Sequence, residues 1–359
     1  MENSIHINYN NLSAEQRITA VQRLTALWAF CESGLGGLLH ALQIPITGPV
    51  VGGLAVIIIT FIAKISDHKY SQILQSLLIV LVVKAIVSPY TPFPAYIAVS
   101  FQALMGFILF RLLKINLLSI LLLSIIAMLE SAIQQLLILT LLFGQSFWKT
   151  TNHMMDFIAK QWGFSTINGN QWLIAIFLLI YFIIGIIIAL MAYRIIKGFS
   201  IDNDGAWANT KSFNTQPDLP EIPERKNVRN KLWLMIILML ILSAFLFLFA
   251  ANAKQGWLAV LKSVSWTLSV ILVWYMIIGP LFSRFIMWLL KKKESRHSEN
   301  ISRTLSLLPV LRPLTAMVWQ KSKSYRGWKR MQFFFSTLLR WSLVYSESSS
   351  EEPSLNNTA

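Results

Sequence analysis

From Leu35 to Tyr96 the chain lays down two apolar segments of membrane length, broken by Gly36, Gly37, Pro45, Gly48, Gly52 and Gly53, with Gly34 just ahead of them. A third segment carries Lys84 into Ser88-Pro89-Tyr90-Thr91-Pro92. Hydrocarbon offers the backbone no hydrogen-bond partners, so such segments must be helices, and a charge or a glycine kink within one is expected to face a protein-lined interior rather than lipid.

Composition extends this argument to most of the chain. Of 359 residues, 55% are hydrophobic and 13% charged, and the mean hydropathy is +0.58, too apolar for an ordinary soluble domain. Crossing about 30 Å of hydrocarbon at about 1.5 Å per residue takes roughly 20 residues. Spans are therefore predicted near 25–43, 46–63, 71–88, 93–112, 115–143, 171–194, 232–252 and 263–290. The result is an all-α, polytopic membrane helix bundle of about eight spans, the fifth and eighth long enough to tilt, kink or leave the bilayer.

An even number of spans puts both termini on one side, and basic residues choose the side. All but five of the 31 Lys and Arg residues fall at one set of span ends or in the segments joining them. The exceptions are Lys84, within a span, and Lys149, Lys160, Lys254 and Lys262 on the opposite side. By the positive-inside rule both termini are cytoplasmic, as expected for a multi-pass protein of a bacterial cytoplasmic (inner) membrane. Contact with anionic lipid headgroups accounts for the formal net charge of +15, so no nucleic-acid partner is expected.

The chain divides into an N-terminal cytoplasmic segment (1–24), a six-helix membrane domain (25–197), a cytoplasmic linker (198–230) with Pro217, Pro220 and Pro223 among charges, a two-span hairpin (231–290), a basic amphipathic tail (291–345) and a Ser/Glu/Asn-rich end (346–359) expected to be disordered. Met1 to Gln22 is polar and lacks the apolar core and cleavage site of a signal peptide, so it is expected to remain on the protein. In the tail, bases alternate with Trp319, Tyr325, Trp328, Phe333, Phe334, Phe335 and Trp341, the mix of a helix lying in the cytoplasmic interface; a partner-binding role is the alternative.

Polar side chains within the spans are the candidate functional groups: Glu32, His40, Lys84, Gln102, Glu130, Gln134 and Gln135. A charge at the middle of a span costs about 2.5–3.5 kcal/mol on insertion scales, so these turn inward. They either line a ligand path or hold helices together. Glu130 and Gln134, four apart, share a helix face. Lys84 would be offset by Glu32 or Glu130 if either lay beside it; unpaired, it would favour an anionic or carboxylate-bearing ligand. Gly48 and Gly52 form a GxxxG whose plainest meaning is close helix packing. Trp148, Trp162, Trp172, Trp257 and Trp266 suit an interfacial aromatic belt.

Chemical signatures are missing. The lone Cys31 can form no internal disulfide, no Cys/His cluster has metal spacing, and no G-x-x-x-x-G-K-[ST], H-E-x-x-H or G-x-S-x-G occurs. The chain is therefore not expected to be an enzyme, to carry a cofactor or to hydrolyse ATP by itself.

Residues 20–197 resemble the six-helix substrate-capture (S) component of bacterial energy-coupling-factor transporters, through the six-span layout, the small residues Ala20, Ala26 and Ala29, the run from Gly37-Leu38-Leu39-His40 to Thr47-Gly48-Pro49-Val50-Val51-Gly52-Gly53, and the segment from Lys84 to Gln102. In the tail, Leu307-Leu308-Pro309-Val310-Leu311-Arg312 followed by Ser322-Lys323-Ser324-Tyr325-Arg326-Gly327 is similar to the coupling helix of the transmembrane (T) component, with Tyr325 where that family usually has a small residue. The resemblance implies a binding subunit that captures a vitamin-like solute or metal ion and works with ATPase or transmembrane partner subunits. It points to Lys84, Tyr90, Tyr96 and Gln102, with Glu130 and Gln134 deeper, as lining residues, and to Arg312, Arg326 and Gly327 as coupling residues. Two other classes remain open: a membrane scaffold or assembly factor recruiting a partner through its basic tail, and an accessory subunit in lipid or isoprenoid metabolism.

Overall fold

The computed structural model describes residues 6–7, 13–35, 47–88, 91, 93–161, 163, 169–197, 201–202, 265–266, 268–273, 276 and 278–344. Eight long helices organise them. Helix α1 (Ala14–Phe30) starts at a reciprocal cap, in which Ser13 Oγ accepts from the Gln16 amide at 3.2 Å and Gln16 Oε1 from the Ser13 amide at 2.9 Å. It continues into a π turn, Cys31–Leu35. Next come α2 (Thr47–Ile65), α3 (Ser71–Val87), α4 (Phe93–Leu113), α5 (Leu117–Gln161), α6 (Gly169–Lys197), α7 (Gly279–Ser322) and α8 (Gly327–Val344).

Four helical segments are long and apolar enough to cross a membrane: Gly48–Ile65, Phe93–Leu113, Leu117–Leu141 and Gly169–Lys197; Ser71–Val87 is a shorter apolar helix. Helix α2 stands at the centre, touching α1, α3, α4, α5 and α6. Its sequence is apolar on every side, and from Leu54 to Ala63 every residue is buried. The outer helices keep apolar side chains exposed at spacings of three and four: Leu104, Ile108 and Leu112 on α4; Ile133, Leu137 and Leu141 on α5; Ile176, Ile180, Ile183 and Ile187 on α6. An apolar stripe of this length facing outward suits hydrocarbon and would be an aggregation hazard in water. Trp172 and Trp266 are also exposed, whereas Trp162 and Trp257 lie outside the described residues.

Glycine sets how closely the helices approach. A methyl group at Gly48 would stand 2.6 Å from Ser131 Oγ on α5, and one at Gly53 2.8 Å from Ile188 Cδ1 on α6. One at Gly185 would meet backbone, 2.9 Å from the Cα of Ile125. The Gly48/Gly52 GxxxG is accordingly a packing surface of α2.

Several boundaries differ from those the sequence suggests. The first span is read from residue 25, but its helix begins at Ala14, because the Ser13–Gln16 cap starts it within the polar segment. The fifth helix runs to Gln161, well past the end expected at 143; at about 1.5 Å per residue its 45 residues reach roughly 68 Å, beyond any hydrocarbon core. The eighth run and the tail are not separate elements, since α7 passes from Gly279 through the three lysines at 291–293 and through Pro309 and Pro313 to Ser322. The start of the linker is not free either: Ile201–Asp202 pairs antiparallel with His6–Ile7. The seventh span (232–252), His40, nearly all of the linker and the 346–359 end lie outside the described residues.

The tail folds back on the bundle. Helices α7 and α8 form a hairpin that packs on α1, and α7 also meets α3. Gln22 Nε2 donates to Asn300 Oδ1 at 3.1 Å, and the Arg23 guanidinium donates to the Leu343 carbonyl. Leu311, Leu314 and Val318 of α7, and Phe335, Leu338 and Leu339 of α8, are buried. The apolar face expected to rest on lipid is thus largely spent on protein contact.

Because Gly185 meets the Ile125 backbone, Gly185→Val is expected to cost about 1–3 kcal/mol by overpacking and to lower the thermal midpoint in detergent. The outward-facing Ile187→Val is expected to leave it unchanged. Equal midpoints for the two variants would contradict this account of the α5–α6 contact.

Candidate functional site

Polar side chains gather at the end of the bundle opposite the Arg17–Asp67 ion pair (2.8 Å), which joins α1 to the turn between α2 and α3. Lys84, in the last turn of α3, donates from Nζ to Glu32 Oε2 at 2.7 Å. Both side chains are about 4% exposed. Glu32 sits in the π turn that ends the first helical segment, a rare geometry that moves side chains off the ordinary helical face. The two helix ends are tied a second time, where Ser88 Oγ donates to the Ser33 carbonyl at 3.1 Å.

Tyr96, on the first turns of α4, is buried and places its ring 5.9 Å from Lys84 Nζ, at the outer edge of cation–π range. Gln102 follows six residues, about 9 Å, further along α4. It is buried against the glycine face of α2: a methyl at Gly52 would lie 3.1 Å from both Gln102 Nε2 and Met128 Cε of α5. A side chain at position 52 would make both neighbours give by a few tenths of an ångström. Glu130, two residues after Met128, lies on a different face of α5 and is half-buried.

Two acceptors in this region have no hydrogen-bond partner among the described residues: Gln102 Oε1 and Glu130 Oε2, both buried. A buried oxygen left unpaired costs about 1–3 kcal/mol. Gln134 and Gln135 divide their work because adjacent helical positions face different neighbours. Gln134 Nε2 donates to the Pro94 carbonyl on α4 at 2.8 Å, whereas Gln135 Oε1 accepts from Tyr181 Oη on α6 at 2.9 Å.

The expected site residues thus separate. Lys84, Tyr96 and Gln134 lie towards one end of the bundle, Gln102 and Glu130 sit near the middle of α4 and of the Leu117–Leu141 span, and Tyr90 lies outside the described residues. Gln134 bonds a neighbouring helix. Lys84 has a full countercharge in Glu32, which cancels the inference that it awaits an anionic ligand. Glu32, one of the polar span residues but not a chosen lining residue, becomes central. Tyr181 is not among the candidates the sequence offers, although it carries the only side-chain oxygen or nitrogen of α6 between Leu173 and Ala192. Among the described residues no group of three or more His, Cys, Asp or Glu could hold a metal.

The coupling candidates lie elsewhere. Arg312 and Arg326 are exposed, Arg312 within α7 and Arg326 at the α7–α8 corner, and Gly327 provides the corner with a φ of +57° in open space. No protein-family model, curated protein or solved structure matches the chain.

Removing one partner of the buried pair leaves the other charge uncompensated. Glu32→Gln or Lys84→Met alone is expected to cost about 3–5 kcal/mol, and the double variant to recover most of that loss. A double-mutant cycle on thermal unfolding in detergent measures it; strictly additive losses would show that the pair is not coupled.

Proposed function

We propose that the chain is an integral-membrane subunit that binds a small solute, vitamin-like or metal, within the six-helix bundle and passes it inward with separate ATPase or transmembrane partner subunits. The observation that carries this reading is the polar layer just described. Burying Gln102 Oε1 and Glu130 Oε2 without partners among the described residues is a standing cost that a ligand with hydrogen-bond donors, or a cation, would relieve. Helix gluing alone accounts for Gln134, Gln135 and Tyr181, whose bonds are made between protein groups. It does not account for the two unpaired acceptors.

Sidedness supports uptake. With basic residues concentrated at the other end, the positive-inside rule sets the polar layer towards the non-cytoplasmic face of a bacterial inner membrane, with eight spans and both termini cytoplasmic. The resemblance of residues 20–197 to substrate-capture components agrees with that direction. An enzymatic role in lipid or isoprenoid metabolism is less well supported, because one of the two carboxylates here, Glu32, is committed to Lys84.

The test is a thermal-shift screen of the detergent-purified full chain against vitamins, their precursors and divalent metals, repeated with Gln102→Leu and Glu130→Leu. A true ligand at a hundred times its Kd stabilises by about 2.7 kcal/mol. The expected outcome is stabilisation by one compound class that either variant loses while keeping its own unliganded midpoint. If no compound shifts the parent, and both variants are as stable as it, the two acceptors serve neither binding nor packing and the scaffold reading takes its place.

A further inference from the structure

The part of the α7–α8 hairpin beyond Glu299 carries charge of one sign. From Asn300 to Val344 there is no Asp or Glu. Lys321, Lys323, Arg326 and Lys329 are all exposed around the corner, together with Tyr325 and Trp328, which are 43% and 40% exposed.

This corner is held in shape by its own contacts. Gly327 makes the left-handed turn, Tyr325 stacks on Phe333 with ring centroids 4.6 Å apart, and the Arg330 guanidinium lies 4.2 Å over the Trp319 ring. Trp319 in turn meets Phe334 edge-on at 5.4 Å. The bases are therefore displayed from a packed platform rather than from a loose tail.

The hairpin rests on the end of the bundle where basic residues collect: its contacts with α1 include Gln22, Arg23 and Ala26, where the first apolar run begins.

We propose that the α7–α8 corner is a docking surface for the anionic lipid headgroups of the membrane in which the bundle sits. The bases supply attraction to phosphate, and the exposed aromatic rings suit the boundary between headgroup and acyl chain. The exposed apolar–basic mix, without an acidic residue from Asn300 to Val344, complements an anionic interface around the corner. This inference needs the bundle to be membrane-embedded but does not depend on whether it binds a solute.

The test uses the full chain with Ser324→Cys labelled by an environment-sensitive fluorophore; Cys31 is buried and will not compete for label. The protein is placed in nanodiscs of phosphatidylcholine alone or mixed with phosphatidylglycerol. In the mixed discs the probe is expected to shift to the blue and to lose access to a neutral aqueous quencher, an effect reversed by molar salt. Each base near an anionic surface contributes about fivefold in affinity, so replacing Lys321, Lys323, Arg326 and Lys329 together by Gln should abolish the lipid dependence.

Identical probe behaviour in the two disc types, or a lipid response that the four-fold variant retains, would overturn the proposal. So would protection by added poly-glutamate but not by phosphatidylglycerol, which would assign the corner to an acidic protein instead. The salt reversal is measured on the parent chain, so a poorly folding variant would not remove the test.

Discussion

Burial of α2 on all sides is the constraint on which the rest of the bundle depends. A helix that touches five neighbours cannot present large side chains to all of them at normal packing distance, and its glycines resolve the conflict. Gly48 admits Ser131, Gly52 admits Gln102 and Met128, and Gly53 admits Ile188. Without a hydrophobic driving force between helices in lipid, such close backbone approach is a main source of association. The same glycines leave room for the polar layer, since a methyl at position 52 would crowd Gln102.

That layer shows how a bundle carries polar groups through an apolar interior. Lys84 and Glu32 neutralise one another, and Ser88 and the Ser33 carbonyl hold their helix ends in register. Gln134 bonds α4, and Gln135 takes the Tyr181 hydroxyl from α6. Most of the polar atoms are used up in these contacts, and Gln102 Oε1 and Glu130 Oε2 are among the few buried polar atoms that have no hydrogen-bond partner among the described residues.

The hairpin of α7 and α8 adds a different kind of contact. Its apolar stripe, which in isolation would suit a lipid surface, closes over α1 and α3, while its basic residues stay outside. Arg23 and Gln22 lock it from the bundle side through the Leu343 carbonyl and Asn300. An amphipathic sequence records that one face will be buried but not against what. Here protein takes most of the apolar face, and the charged corner is left to the surroundings.

Much of the architecture was legible in one dimension. Hydropathy placed α2 to α6, and the close packing at Gly48 and Gly52 followed from glycine spacing, because length, apolarity and the lack of a side chain are local properties of the chain. Helix ends were less legible: the cap at Ser13 began α1 early, and α5 and α7 ran on through polar residues that hydropathy treats as boundaries. Which groups would be polar and inward was also readable, but their partners were not. Whether Lys84 would meet Glu32, 52 residues away, or Glu130 depended on which helices became neighbours and on the π turn that aims Glu32. The division of Gln134 and Gln135 between α4 and α6, and the folding of the tail onto α1, were likewise decided by packing between segments far apart in the chain. Sequence determines what each helix must hide; only the tertiary structure decides what hides it, because that choice is made by non-local contacts competing for the same surface.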